Sequence, residues 1–156
     1  MHARGGPVRK AEREAAYVIC GDWDRADDLL QQALVKLYVA WPRVRRDGRE
    51  EAYVRQILLR AHIDEHRRPW RREQATDRLP ERAAREPFPV EERTVLMQAL
   101  EQLSAMQRAC VVSRHWLGLS VAETATDLGI PEGTVKSHTS RGLAALQGML
   151  EPDRRA

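Results

Sequence analysis

Long apolar runs are missing from this 156-residue chain. None approaches the roughly 20 residues that a helix needs to cross a bilayer. The stretch from Met1 to Lys10 is polar and basic and has no apolar leader core behind it, so a cytoplasmic protein without a membrane partner is expected. Cysteine is scarce. Cys20 and Cys110 lie far apart, each within an apolar helical pattern, which excludes a disulfide framework and reads as two reduced, buried thiols. Strand signals are absent too, because no stretch alternates β-branched residues with polar ones. That excludes a βαβ unit of the receiver type. Lysine occurs only at Lys10, Lys36 and Lys136, a bias that reflects base composition more than phosphate chemistry.

What is present is charge, unevenly placed, on helix-forming residues. Residues 1–72 hold 16 basic and 11 acidic side chains, whereas residues 73–156 hold 10 and 12. A basic first half suits a polyanion partner. A first helix is expected from about Val8 to Cys20, stopped by Gly21. A second starts near Asp22 or Asp24, either of which can cap free N–H groups. Its apolar stripe is Ala26, Leu29, Leu30, Ala33, Leu34, Leu37, Tyr38 and Trp41, and Pro42 is expected to end it. An arginine-rich loop, Arg43 to Arg49, precedes a third helix from about Glu50 to Arg68, with a stripe at Tyr53 or Val54, Ile57, Leu58 and Ala61. From Glu73 to Pro89 three prolines exclude a continuous helix, so these residues read as a linker.

The second unit runs from about Val90 to Leu150. Val95, Leu96, Ala99, Leu100 and Leu103 mark its first helix. Ser104 with Gln107, and Ser120 with Glu123, form capping boxes that open two more. Pro131 opens the last helix, with Val135, Thr139, Leu143, Leu146 and Leu150 on one face. Ser120 to Leu146 meets the demands of a helix-turn-helix. Ala125 is small at the helix crossing, Gly129 tolerates positive φ in the turn, and Leu128, Ile130 and Val135 fill the wedge. The second helix then turns Glu132, Lys136, Ser137, Ser140 and Arg141 outward, groups that suit a major groove. The expected fold class is all-α, two small helical domains on a tether.

The run LSAMQRACVVSRHWLGLSVAETATDLGIPEGTVKSHTSRGLAAL resembles region 4 of extracytoplasmic-function sigma factors, a branch of the sigma-70 family, and in particular the sigma-E-like actinobacterial type. The runs GDWDRADDLLQQALVKLYVAW and EEAYVRQILLRAHIDEHRR resemble region 2. The resemblance implies a region 2-like domain over 1–72, a linker over 73–89 and a region 4-like domain over 90–150. It implies no enzyme, no cofactor and no metal, but a protein that binds RNA polymerase core and initiates transcription at −10 and −35 promoter elements. The −35 element would be read by Glu132, Thr134, Lys136, Ser137, Ser140 and Arg141. The −10 element would be melted and read by Arg45, Arg46, Arg49, Tyr53, Arg55, Arg60, Arg67 and Arg68, with Tyr53 weighted toward the core. Asp28, Gln31, Gln32 and Lys36, beside Val35, would dock on the β′ clamp helices of the polymerase, and the β flap and an anti-sigma factor are further partners. Two departures stand out: Arg60 lies where the family usually has Asn, and the family usually carries another turn or more of helix before AAYVICGD. The latter implies a coding start further upstream or an abbreviated, less stable first domain.

Two rival readings remain. EGTVKSH also resembles the output domain of LuxR-type regulators, which bind DNA without polymerase. His62 to His66 matches H-x-x-E-H, the inverted zincin pattern, which needs a third ligand that the other histidines do not offer in an acidic setting.

Overall fold

The computed structural model describes residues 7–66 and 91–151. Helix α1, Pro7–Cys20, ends where Gly21 takes φ of 86° and donates its N–H to the Tyr17 carbonyl at 2.7 Å. Helix α2, Trp23–Asp47, is capped by Asp22, whose carboxylate accepts from the Asp24 and Arg25 N–H groups at 2.9 and 3.3 Å. Ala15, Ala16, Val18 and Ile19 of α1 are buried, as are Ala26, Leu29, Leu30, Ala33 and Leu37 of α2, and the two helices pack together. A polar clasp joins them above this apolar seam. The Arg13 guanidinium donates to both carboxylate oxygens of Asp27, at 2.7 and 3.3 Å, and lies 4.5 Å over the Trp23 ring. Tyr17 stacks on the same indole at 3.9 Å.

Pro42 does not end α2, which continues through Asp47. Proline removes one N–H and crowds the carbonyl four residues back. Here Tyr38 and Pro42 are both exposed, so water can take up the freed carbonyl, while buried Val44 holds the last turn inward. The arginine-rich stretch is therefore largely helical: Arg43, Arg45 and Arg46 belong to α2, and only Gly48 and Arg49 make the turn into α3, Glu50–His66. Tyr38 was expected in the buried stripe but is exposed, and Leu34 and Trp41 are half-buried. The stripe narrows because inward Val44 continues the line of Ala26, Ala33 and Leu37. In α3, Val54, Leu58, Leu59, His62 and Ile63 are buried; Tyr53, Ile57 and Ala61 are half-buried.

The second unit holds α4 (Glu91–Glu101), α5 (Ala105–Val111), α6 (Val121–Leu128) and α7 (Glu132–Leu150), with α7 packed against the other three. Both oxygens of the Ser104–Gln107 capping box are engaged. After α5 the chain widens into a π-helical turn, Val112–Trp116, closed by the Leu117 N–H on the Val112 carbonyl at 2.9 Å. The Leu119 N–H then reaches the Ser113 carbonyl, and the Arg114 guanidinium donates to the Leu119 carbonyl. Gly118, at φ of 70°, completes the corner that feeds α6. Helices α5 and α7 meet at Gly142, where a Cβ would stand 2.6 Å from the Val111 Cγ2 methyl. Leu143 and Leu150, expected inside, are exposed, as is Val95. Gly142 replaces Leu143 in the seam because only a residue without Cβ lets the two backbones close. Among the described residues there is no strand, and contacts divide them into two compact units at His62/Ile63, in the last turn of α3.

Candidate nucleic-acid interface

Helix α6 begins where Ser120 adopts an extended conformation and its hydroxyl accepts from the Glu123 N–H at 3.0 Å, while Glu123 Oε1 accepts from the Ser120 N–H at 3.0 Å. Two N–H groups that the first helical turn leaves open are thereby satisfied. Helix α6 stops at Gly129, in the left-handed region at φ of 67°, with the Gly129 and Ile130 N–H groups both turned onto the Ala125 carbonyl. Thr124, Leu128 and Val135 are buried in the crossing and Ala125 and Ile130 are half-buried. Within the helix-turn-helix the buried Thr124 and Thr139 hydroxyls are satisfied internally, Thr124 donating to the Ser120 carbonyl at 2.8 Å and Thr139 to the Val135 carbonyl at 2.7 Å.

The buried set of α7 is Val135, Thr139, Gly142 and Leu146. At about 100° per residue these occupy one arc, which turns Ser137, Ser140 and Arg141 to the opposite side and leaves Glu132 and Lys136 on a flank. Accordingly Glu132, Lys136, Ser140 and Arg141 are exposed, and Thr134 and Ser137 half-buried. All six residues expected to read the −35 element thus lie on one helix, outside its buried set, four exposed and two half-buried. This is the architecture of a helix-turn-helix DNA-binding protein.

In the first unit, Asp28, Gln31, Gln32 and Lys36 are all exposed on α2, and so is Val35 between them. Of the residues expected at the −10 element, Arg49 and Arg60 are exposed, whereas Tyr53 and Arg55 are half-buried. Arg67 and Arg68 lie outside the described residues, and for Arg45 and Arg46 only the helical backbone is described. Where α2 ends and α3 begins, Val35, Lys36, Val39, Ala40, Pro42, Arg43 and Tyr53 line a concavity of about 510 Å³. Lys36 therefore belongs both to the face expected to dock on polymerase and to the lining of this concavity. The concavity was not legible in the sequence because it depends on Tyr53 of α3 being brought beside the Val35–Arg43 stretch of α2. His62, the first histidine of the H-x-x-E-H match, is 2% exposed, the side chain of His66 lies outside the described residues, and among the described residues no three His, Cys, Asp or Glu side chains are grouped to hold a metal ion.

Comparison with known proteins agrees with this geometry. Residues 9–72 match the family described as Sigma-70 region 2, and residues 93–146 match Sigma-70, region 4. The chain is 37% identical over 127 residues to the RNA polymerase sigma-E factor of Streptomyces avermitilis, covering 81% of this chain and 71% of that protein. It is 34% identical over 145 residues to the ECF RNA polymerase sigma factor SigL of Mycobacterium tuberculosis, covering 87% of this chain and 80% of that one. Among solved structures, the sigma factor RpoE of Bartonella quintana, crystallised in complex with the anti-sigma factor NepR, superposes with a TM-score of 0.75 at 26% identity over 98% of each chain.

The chain belongs to the sigma-70 family, in its extracytoplasmic-function branch. As such it associates with RNA polymerase and directs promoter recognition and transcription initiation. The LuxR-type alternative falls, since the first half, where such a regulator would need its own dimerisation or receiver module, matches region 2.

Proposed function

We propose that the two units divide promoter recognition between them, with α7 reading the −35 element and the α2–α3 junction engaging the −10 element. The observation that carries the first part is the outward arc of α7. Lys136 and Arg141 can pair with phosphate or guanine, and Ser137 and Ser140 are short enough to let the helix sit deep in a major groove. Glu132 stands at the N-terminal end of α7, where its charge stabilises the helix dipole and repels phosphate in a wrong register. At the junction, Tyr53 offers an aromatic edge and Arg43 and Arg49 offer charge to separated strands, and Arg60 adds charge further along α3. The working arrangement is a region 2-like domain over 1–72, a linker over 73–89 and a region 4-like domain over 90–150.

Asp28, Gln31, Gln32 and Lys36 face the β′ clamp helices in this reading, and the second unit faces the β flap. The protein acts in the cytoplasm as a binding factor and not as an enzyme, and an anti-sigma factor holds it inactive. Among the described residues no helix is long and apolar enough to cross a membrane. Run-off transcription by wild type and Arg141→Ala, on templates with intact and scrambled −35 sequence, tests the central assignment. A base-directed arginine contributes about 1–3 kcal/mol of discrimination, so the variant should lose roughly tenfold or more of its transcription from the intact promoter. Full retention of the preference for the intact element by the variant would show that another face reads it.

A further inference from the structure

The glycines of the second unit are not alike. Gly118 and Gly129 take φ of 70° and 67°, a region that a side chain disfavours. Gly142 faces Val111, whose Cγ2 methyl would stand 2.6 Å from a Cβ. Gly133 and Gly148 have neither reason to be glycine. Both are exposed in α7, neither has a positive φ, and a Cβ on either would meet nothing within 4 Å. Glycine in a helix gives up stability that alanine would keep, so nothing in the packing or backbone of α7 accounts for Gly133.

We infer that Gly133 is a specificity-determining position, left without a side chain so that the first turn of α7 can bring its main chain against the floor of the major groove. This inference rests on the reading of α7 as the helix that recognises the −35 element. Gly133 is the second residue of α7 and, at about 100° per residue, falls between Ser137 and Ser140 around the helix, on the side away from buried Val135, Thr139, Gly142 and Leu146. In a helix-turn-helix the N-terminal residues of the second helix are the ones that reach base edges. The side chains of Ser137 and Ser140 are short, so their hydroxyls meet base edges only when the helix axis sits close to the groove floor. The residue one turn before Ser137, on the same arc and at the leading end, must then be no longer than they are. With glycine there, the main chain itself lies against the floor. With any Cβ, the first turn is lifted and Ser137 and Ser140 are carried away with it. Glu132 and Lys136 stand on a flank, where a long side chain does not come between the helix and the floor. Gly148 stands about 22 Å further along the axis, near the far end of α7, and is outside this contact.

The test uses the full chain, purified polymerase core and run-off templates with intact and scrambled −35 sequence. Gly133→Ala should keep or raise the unfolding midpoint, as Gly148→Ala does, and leave core binding unchanged. It should nevertheless lower transcription from the intact template at least about fivefold, the scale of one lost base contact, while Gly148→Ala transcribes like wild type. Gly133→Leu, which adds bulk with a good helix former, should lower it further and narrow the preference for the intact element. Full preference in both Gly133 variants, with the preference lost in Arg141→Ala, overturns the inference and leaves the reading of α7 in place. Full preference in all three overturns that reading as well. A lower unfolding midpoint in Gly133→Ala shows that the fold itself needs the glycine, and the inference is wrong. An equal loss of transcription in Gly148→Ala also overturns it, because the effect then comes from helix stiffness and not from a contact at the leading end.

Discussion

Replacing Gly142 by alanine puts a number on how closely α7 is held. The new Cβ would stand 2.6 Å from the Val111 Cγ2 methyl, 3.5 Å from the Gln107 carbonyl oxygen and 3.6 Å from Gln107 Cβ. Val111 is buried and β-branched, and within a helix such a side chain has essentially one χ1 rotamer, so its methyl cannot swing clear. Overpacking of this kind costs about 1–3 kcal/mol. Against it stands the helix-propensity gain of alanine over glycine, about 1 kcal/mol. The net expectation is a loss of about 1 kcal/mol. Gly148, in the same helix, is exposed with nothing within 4 Å of its would-be Cβ, so Gly148→Ala keeps the gain without the clash. The two substitutions should move stability in opposite directions. Hydrogen exchange of α7 amides measures this in the second unit alone. Adding Val111→Ala to Gly142→Ala should recover part of the loss, with a coupling of at least about 0.5 kcal/mol. If Gly142→Ala protects α7 as well as Gly148→Ala does, the helices are not locked at this point.

Three further outcomes are expected. Ser120→Ala removes one half of a capping box and should cost about 1 kcal/mol, while Ser120→Asp should retain most of the stability; equal losses in urea unfolding would mean that the cap is not what holds α6. Burial pushes the Cys110 thiol up to about 11, so at pH 8 a thiol reagent should label Cys110 only after unfolding, with half-buried Cys20 reacting first. The stability contributed by the neutral Cys110 thiol is fully present below the ordinary thiol range and is lost as pH rises through about 11; rapid labelling of the folded protein at pH 8 contradicts this. Arg13→Leu breaks an ion pair whose two side chains are 49% and 43% exposed, so it should lower the stability of the first unit by less than about 1 kcal/mol. Trp23→Ala removes both the stack and the cation contact and should cost more; the reverse order in denaturant midpoints would place the clasp's strength in the ion pair.

Much of the fold was legible because its signals are local. The Gly21 stop, the Asp22 cap, both capping boxes and the Gly129 turn each rest on groups within four residues of one another. The outward set of α7 followed from periodicity alone. What stayed hidden depends on the other side of a contact. Pro42 reads as a stop, and only the burial of Val44 beyond it shows why the helix continues. Glycine carries no hydropathy, so Gly142 gave way to Leu143 in the pattern although the backbone approach demands the reverse. The π-helical turn at Val112–Trp116 has no residue signature, since its hydrogen bonds are between backbone groups. Tyr38 lies at the edge of the helical apolar stripe, and periodicity alone does not tell that it is exposed.

The uninterrupted length of α2 makes it a ruler as well as a surface. Its 25 residues span about 37 Å at the rise of an α-helix, and Asp28 and Arg43 are separated along it by about 22 Å. In the proposed arrangement, with the polymerase near one end and an opened strand near the other, a single helix sets that distance and the rotation between the two. One residue inserted between Gln32 and Val39 would lengthen the rod by only about 1.5 Å but turn one end against the other by about 100°. Everything beyond the insertion, Lys36 and the concavity included, would be turned out of phase with Asp28, Gln31 and Gln32 before it.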